Sequence, residues 1–240
     1  MFLWTKDMID FMQDAARYGS YQEELSDWIC AELPNAEHVC DAGCGLGFLS
    51  ERLCRRFPRV TAADISDGAL SRLRSWAAEK HASNLEIRQE DLTVFTPDEP
   101  YDAMVCLFGR MEEILRIAKR CGAGTVVVVK KAYTHHRFSV SNVPLQDETT
   151  EQAAALLRAR GVPFRLETRE FDMGQPLKTL EDAMRFFRAY SKDAPGALTK
   201  EAVLRRLTET GDKAFPYYVP QRRSLGRFTI HTGNIPEEFV

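Results

Sequence analysis

Short apolar runs alternate with segments of helical periodicity along most of this chain. The runs predict strands at 38–41, 60–64, 85–88, 103–107, 125–130, 164–171 and 225–231. Helical patterns lie between them, at about 47–57, 67–80, 111–120 and 149–160. The run TVVVVK at 125–130 predicts a central strand that is covered on both faces. Strands that alternate with helices indicate an α/β fold with a parallel sheet between helical layers.

Two regions lie outside this alternation. A helix is predicted at 5–17, and the capping box Ser20-Tyr21-Gln22-Glu23 begins a second helix that ends at Pro34. Between the last two strands, helical patterns around 179–190 and 199–210 exceed what a simple hairpin needs. We therefore expect an N-terminal helical lid segment, 1–35, and a main domain, 36–240, in which 174–223 is a helical insertion.

Composition limits the classes of function. The chain has 240 residues, 44% of them hydrophobic, which suffices for a full core. Its net charge is −3 with no long basic run, so we expect no nucleic-acid partner. No apolar run approaches a membrane span, and the acids in MFLWTKDMIDFM do not fit a signal peptide; we expect a cytoplasmic protein with no membrane partner. The six cysteines form no C-x-x-C pair and have no histidines at metal spacing, so reduced thiols and no metal site are expected.

The first predicted strand runs into the loop VCDAGCGLGF, Val39 to Phe48. In an open α/β sheet, ligands bind beyond the carboxyl ends of the strands. A dinucleotide loop, G-x-G-x-x-G, would need a glycine where Phe48 stands, and a P-loop would need Gly-Lys-Ser/Thr. Asp41, two residues before the first glycine, would repel a pyrophosphate. The sequence therefore predicts a ligand that is neutral or cationic near Asp41.

The pattern D-x-G-x-G-x-G resembles motif I of the class I methyltransferases that use S-adenosylmethionine. Asp64 ends the second predicted strand, 21 residues after Gly43, where an acid can accept both ribose hydroxyls. Asp91 and Leu92 follow the third strand, where the family places an acid on the adenine amino group and an apolar side chain on its ring. The resemblance implies a Rossmann-like, doubly wound seven-stranded sheet, mostly parallel, with the last strand antiparallel between the fifth and sixth.

The resemblance also implies the cofactor site, with S-adenosylmethionine as methyl donor and S-adenosylhomocysteine as product. The glycines would let the backbone approach the donor, and Asp41 would favour its ammonium group by charge or through a water. The expected cofactor-binding residues are Asp41, Gly43, Cys44, Gly45, Gly47, Asp64, Ile65, Asp91, Leu92, Leu107 and Tyr21.

The acceptor is less well defined. Methyl transfer is an in-line displacement that depends mainly on alignment, so a general base is not obligatory. Family members that methylate amide or adenine nitrogens carry N-P-P-Y after the fourth strand, whereas this chain has VCLFGR at 105–110. In the family, segments like 1–35 and 174–223 usually cover the acceptor pocket. We expect a small-molecule acceptor that is methylated at oxygen, nitrogen or carbon.

Several side chains could act on that acceptor. The candidate catalytic residues are Tyr133, His135 and His136, after the fifth strand, although paired loop histidines are also commonly structural. The candidate substrate-binding residues are Trp4, Tyr18, Phe108, Arg110, Tyr217 and Tyr218, through stacking or ionic contacts. The aromatic residues could instead serve only in packing. Arg110 and Arg222-Arg223 could bind a substrate carboxylate or phosphate, or they could simply be solvated surface residues.

Three other functions stay open at this point. The chain could methylate RNA or protein, it could bind S-adenosylmethionine without catalysis as a sensor or partner subunit, or it could be a redox Rossmann enzyme. The glycine spacing disfavours the last of these. The oligomeric state does not follow from the sequence.

Overall fold

The computed structural model describes residues 4–194 and 196–239. The helices are α1 (Lys6–Tyr18), α2 (Tyr21–Cys30), α3 (Ser50–Leu53), α4 (Asp67–Lys80), α5 (Met111–Arg120), α6 (Thr150–Ala159), α7 (Leu180–Tyr190) and α8 (Lys200–Leu204). The strands are β1 (His38–Ala42), β2 (Arg59–Asp64), β3 (Leu85–Gln89), β4 (Ala103–Leu107), β5 (Thr125–Lys131), β6 (Arg165–Asp172), β7 (Gln175–Leu177), β8 (Thr208–Glu209), β9 (Tyr217–Val219) and β10 (Arg222–His231). Single turns of 3-10 helix follow at Thr232–Asn234 and Glu237–Phe239.

Seven of these strands form one sheet in the order β3-β2-β1-β4-β5-β10-β6. Strands β1 to β5 are parallel to their neighbours, and β10 runs antiparallel to both β5 and β6. The α/β, Rossmann-like sheet with an antiparallel last strand is therefore confirmed. The strand order reverses beside β1, which pairs with β2 on one side and β4 on the other. Such a reversal opens a crevice at the carboxyl ends of the strands.

The core lies on both faces of this sheet. Along β5, Val126 and Val128 pack with α5 and α6, while Val127 and Val129 pack with α2 and α3. All four valines are fully buried, because successive side chains of a strand point to opposite faces. The central strand that the run TVVVVK predicts is thus confirmed.

Two predicted helices are shorter in the structure. The pattern at 47–57 contains only α3 as regular helix, since Gly47 lies in the left-handed region at φ 77° and the chain leaves the loop through a turn. The pattern at 199–210 ends as α8 at Leu204, and the chain then extends into β8. The predicted helical insertion contains the helices α7 and α8, but it also contains a separate antiparallel three-stranded sheet of β7, β9 and β8, which the prediction missed.

Helix α1 shares a hydrophobic core with this insertion. Phe11 of α1 packs edge-on against Phe186 of α7, with the ring centroids 5.3 Å apart. The side-chain amide of Gln175 in β7 donates to the Phe11 carbonyl at 3.0 Å, and Arg185 pairs with Asp7. The N-terminal helix is therefore attached to the insertion as well as to the sheet domain.

Among the described residues, no helix combines the length and the apolar character that crossing a bilayer requires.

Candidate functional site

A cleft of about 310 Å³ opens at the reversal of strand order. Its walls come from the carboxyl ends of β1 to β4 and from the first turns of α5. The lining residues are Ala42, Gly43, Asp64, Ile65, Glu90, Asp91, Leu92, Thr93, Cys106, Leu107, Gly109, Glu113, Ile114 and Ile117. A concave site with apolar walls and a few polar groups has the composition of a small-molecule pocket.

The glycine loop forms one side of the cleft and follows the sheet closely. Gly43, Gly45 and Gly47 all have positive φ, at 75°, 53° and 77°. The amide of Gly43 donates to the carbonyl of Ala63 in β2 at 2.8 Å. A Cβ atom on Gly47 would lie 2.5 Å from a methyl carbon of Leu73 in α4. Glycine is therefore needed for both the turn and the packing. The amides of Gly43, Cys44 and Gly47 donate to backbone carbonyls, so hydrogen bonds within the protein hold the loop in place.

Asp64 is held in a fixed orientation where β2 ends. One carboxylate oxygen accepts from the Gly45 amide at 2.8 Å, and the other accepts from the Ser66 amide at 2.8 Å. Each oxygen retains a further lone pair, so the carboxylate can still accept two hydrogen bonds in one plane. This geometry suits a pair of vicinal hydroxyls on a ligand in the cleft.

Asp91 and Leu92 form the far end of the cleft, after β3. Asp91 accepts from the amide and the hydroxyl of Thr93, at 2.9 and 2.6 Å, and these hydrogen bonds lower its pKa. Leu92 is buried, and Ile114 and Ile117 of α5 supply apolar walls. The combination of a hydrogen-bond acceptor and an apolar slot is suited to a flat, polar-edged ring.

Asp41 lies beneath the glycine loop and does not line the cleft. It accepts from the Ser50 hydroxyl at 2.6 Å and is 1% exposed. Burial raises the pKa of Asp41 to about 6, with a smaller contribution from the charge of Asp64, although the Ser50 hydrogen bond acts in the opposite direction. Asp41 therefore changes its protonation state near pH 6.

A buried lysine fixes the loop after β4. The ammonium group of Lys130 donates to the carbonyls of Phe108, at 2.9 Å, and Gly109, and pairs with Glu148 at 2.5 Å. Burial lowers the pKa of Lys130, and Glu148 opposes the shift. Phe108 has φ 75°, which is costly for a bulky residue and persists only where the surroundings hold it. Sequence reasoning missed the role of Lys130, although a lysine inside an otherwise apolar strand could have indicated it.

The structure brings together six of the predicted cofactor-binding residues on the walls of the cleft: Gly43, Asp64, Ile65, Asp91, Leu92 and Leu107. Three others, Cys44, Gly45 and Gly47, lie in the adjoining loop, and Asp41 lies in β1 beneath that loop. Tyr21 instead lines a separate cavity of about 40 Å³. The prediction missed the α5 wall, which the helical spacing of Ile114 and Ile117 directly after β4 could have indicated.

The predicted substrate-binding residues are spread over several places. Trp4 packs against the glycine loop, 3.6 Å from where a Gly45 Cβ would lie. Tyr18 and Tyr218 have ring centroids 5.6 Å apart and line the 40 Å³ cavity, while Tyr217 packs in the core of the insertion. Phe108 and Arg110 line an open cleft of about 680 Å³ that shares Gly109 and Glu113 with the 310 Å³ cleft.

The candidate catalytic histidines lie outside the cleft. His135 and His136 line a pocket of about 410 Å³ with three arginines. His136 is half-buried, its Nδ1 is 3.0 Å from the Ser139 hydroxyl, and burial lowers its pKa. Tyr133 packs in the apolar cluster that contains Leu107. A catalytic role for Tyr133, His135 and His136 stays a prediction.

Among the described residues, no group of three or more His, Cys, Asp or Glu side chains could hold a metal ion.

Comparison with known proteins bears on the sheet domain. Residues 39–120 match the family model described as "Methyltransferase domain". A ubiquinone biosynthesis O-methyltransferase of Coxiella burnetii is 31% identical over 90 residues, which cover 36% of this chain and 38% of that protein. This chain therefore matches less than half of the length of that curated relative. Residues 39–120, which match the family model, contain the glycine loop and the carboxyl ends of β2, β3 and β4.

Solved structures agree on the fold. The magnesium protoporphyrin IX methyltransferase of Synechocystis PCC 6803, solved with S-adenosylhomocysteine, has a TM-score of 0.51 at 16% identity and covers 95% of this chain and 89% of its own. The [4+2]-cyclase SpnF has a TM-score of 0.55 at 16% identity and covers 94% and 93%. Since one neighbour is named as a methyltransferase and the other as a cyclase, the fold does not by itself define the reaction.

Proposed function

We propose that this chain is a class I methyltransferase that transfers the methyl group of S-adenosylmethionine to a small molecule. The acceptor atom of that molecule would be an oxygen, a nitrogen or a carbon. The match of residues 39–120 to the family model described as "Methyltransferase domain" supports this proposal. The cytoplasmic location expected from the sequence stays a prediction.

The 310 Å³ cleft at the β1 switch point carries this proposal. In it, the carboxylate of Asp64 would accept the two ribose hydroxyls, since both oxygens are already aligned by backbone amides. Asp91 would accept from the adenine amino group, and Leu92, Ile114 and Ile117 would enclose the ring. The glycine loop would lie against the amino-acid end of the donor, because residues without side chains allow a close approach of the backbone.

The protein would accelerate the reaction chiefly by alignment. S-adenosylmethionine, when bound, supplies an electrophilic methyl group. Fixing donor and acceptor in line can contribute roughly 7–11 kcal/mol to the lowering of the barrier. The Lys130–Glu148 pair would support this alignment, because it holds Phe108 and Gly109 at the end of β4. A proton acceptor is needed only if the acceptor atom carries a proton when it reacts.

The acceptor would bind between the sheet domain and the segments that cover it. Trp4 packs on the glycine loop, and α1 shares a core with the insertion. We propose that α1 and the segment 174–223 cover the acceptor and exclude water from it. We also propose that these two segments open and close together.

Calorimetric titration with S-adenosylmethionine, S-adenosylhomocysteine and NAD tests the cofactor. We expect micromolar binding of the first two and none of NAD. Asp64→Asn removes a charged acceptor and should weaken binding by roughly 10- to 100-fold. Asp67→Asn is the matched control, since Asp67 lies near Asp64 in the chain, is 62% exposed and pairs with Arg74 outside the cleft.

Asp91→Ala separates ligand binding from damage to the loop, because Asp91 contacts Thr93 and not the glycine loop. Weaker binding in both Asp64→Asn and Asp91→Ala, with Asp67→Asn unchanged, supports the cofactor assignment. Absence of binding to the wild-type protein, or equal affinity in all the variants, contradicts it. Release of S-adenosylhomocysteine from pools of cell metabolites then tests the transfer.

A further inference from the structure

A strongly basic pocket of about 410 Å³ lies beside the loop after β5. Arg137, Arg206 and Arg223 line it together with His135 and His136, and its walls contain no carboxylate among the described residues. This pocket shares no lining residue with the proposed cofactor cleft. Its charges need an explanation, because like charges gathered in a concave site repel one another.

Two of the three arginines lack a carboxylate partner. Within residues 4–194 and 196–239, neither Arg137 nor Arg223 takes part in an ion pair, and the Nε of Arg223 is buried without a hydrogen-bond partner. Arg206 is different, since its guanidinium donates to the carbonyls of Arg137, at 3.0 Å, and Ser139. Arg137 and Arg223 therefore have donors available for a ligand, whereas Arg206 serves mainly to hold the loop.

The nearby acids are already engaged. Burial alone would raise the pKa of Asp193, but hydrogen bonds from Ser141, Ser191 and Val140 lower it to about 2. Its carboxylate is therefore ionised and accepts from these groups. Asp147, near Tyr133, pairs with Lys131. Neither acid supplies the missing partner of Arg137 or Arg223.

The pocket adjoins the region where an acceptor would bind. The Arg223 guanidinium lies 5.6 Å from the ring centroid of Tyr133, and the Ala132 amide donates to the Ser224 carbonyl at 3.0 Å, which fixes the two segments side by side. Arg137 also lines the 40 Å³ cavity that Tyr18 and Tyr21 enclose. One side chain thus borders both a basic pocket and an aromatic cavity.

We propose that the acceptor carries an anionic group, a carboxylate or a phosphate, and that Arg137 and Arg223 bind it in this pocket. Guanidinium groups recognise both anions through paired N–H donors. An aromatic or otherwise flat body next to that group would contact Tyr133 and the tyrosines of the small cavity. The inference rests on the proposed methyltransferase function, for which it defines the class of acceptor.

The test measures the binding of benzoate, phenyl phosphate and benzyl alcohol to the full chain, by calorimetry and by saturation-transfer NMR, with and without S-adenosylhomocysteine. We expect the two anions to bind and the neutral alcohol to bind at least ten-fold more weakly. Arg137→Gln and Arg223→Gln should each weaken anion binding by roughly 10- to 100-fold. The stronger of the two anions identifies the group that the pocket prefers.

Arg222→Gln is the matched control. Arg222 is the chain neighbour of Arg223, but it is 75% exposed and lies 3.7 Å from Glu170, so its replacement should leave anion binding unchanged. Binding of S-adenosylhomocysteine should be the same in all three variants, which also shows that they are folded. Equal anion affinity in wild type and in the Arg137 and Arg223 variants overturns the inference, as does equal binding of benzyl alcohol. If S-adenosylhomocysteine fails to bind the wild type while the anions still bind it, the cofactor assignment fails and the anion site stands.

Discussion

The buried carboxyl group of Asp41 makes the stability of the folded protein depend on pH. It is 1% exposed and accepts hydrogen bonds from the hydroxyl and the backbone amide of Ser50, but burial still leaves the charged form poorly solvated. Burial raises its pKa to about 6 from an ordinary value of 3.8. The folded protein therefore retains this proton to higher pH than the unfolded chain does. The resulting stabilisation is full below about pH 4 and is lost as the pH rises through about 6.

Asp41→Asn should remove this dependence on pH. The amide oxygen of asparagine can still accept from Ser50, but it cannot ionise. We expect the free energy of unfolding of the variant, relative to wild type, to rise by about 2–3 kcal/mol between about pH 4 and pH 7, since each pKa unit corresponds to about 1.4 kcal/mol. Urea unfolding at several pH values measures it. Parallel pH profiles for the two proteins would show that Asp41 ionises normally in the folded state.

At the scale of the elements, the glycine loop and α4 depend on each other. Gly47 combines a positive φ of 77° with a contact in which its missing side chain makes room for Leu73. The same helix also contains Gly68, in its first turn, where a Cβ would meet nothing within 4 Å. The two glycines therefore differ in physical role although both lie close to the predicted cofactor site.

Gly47→Ala should destabilise the protein by about 2–4 kcal/mol, from the left-handed backbone and from the overlap with Leu73. Gly68→Ala, as the control, should stabilise it by up to about 1 kcal/mol, because alanine favours the helix. The cost of Gly47→Ala should be smaller in a Leu73→Ala background, which denaturant unfolding of the double-mutant cycle measures. If Gly47→Ala destabilises the protein equally in that background, the left-handed backbone alone accounts for its effect.

At the scale of the whole molecule, α1 connects the two parts of the structure. Ile9 and Met12 of α1 pack in a cluster with Leu46 of the glycine loop. Phe11 of the same helix lies in the core of the insertion with Phe186. The Tyr190 hydroxyl donates to the Met8 carbonyl at 3.0 Å, which adds a second contact to α7. A disturbance in the small core should therefore affect the helix that covers the glycine loop.

Phe11→Ala tests this connection. Removing a buried phenylalanine from a core costs about 3–5 kcal/mol. We expect the loss to appear as faster amide hydrogen exchange in α1, α7 and β7, with β1, β4 and β5 still protected, because those strands belong to a different core. Hydrogen exchange followed by mass spectrometry resolves these segments. Uniform loss of protection across the sheet would mean that the two cores unfold as one unit.

The pattern of apolar and polar residues was sufficient to predict the strands and helices of the sheet domain. Apolar runs and helical spacing are local, so strands such as β5 and helices such as α5 could be predicted directly. The glycine spacing and the acids Asp64 and Asp91 also follow from local order, because parallel strands bring their carboxyl ends to one edge. The short strands β7, β8 and β9 could not be predicted, since runs of two or three residues carry almost no periodic signal.

Side-chain partnerships that cross the fold were decided only by the tertiary structure. Lys130 and Glu148 pair across the β4 loop, Trp4 reaches the glycine loop, and Arg137 and Arg223 meet at one pocket from distant parts of the chain. Tyr21, which the sequence predicts as a cofactor contact, lines the small cavity with Tyr18 in the structure. Periodicity determines which face a residue occupies, but the partner on that face depends on how loops and insertions close over the sheet. Those closures bring together residues that have no fixed spacing in the chain.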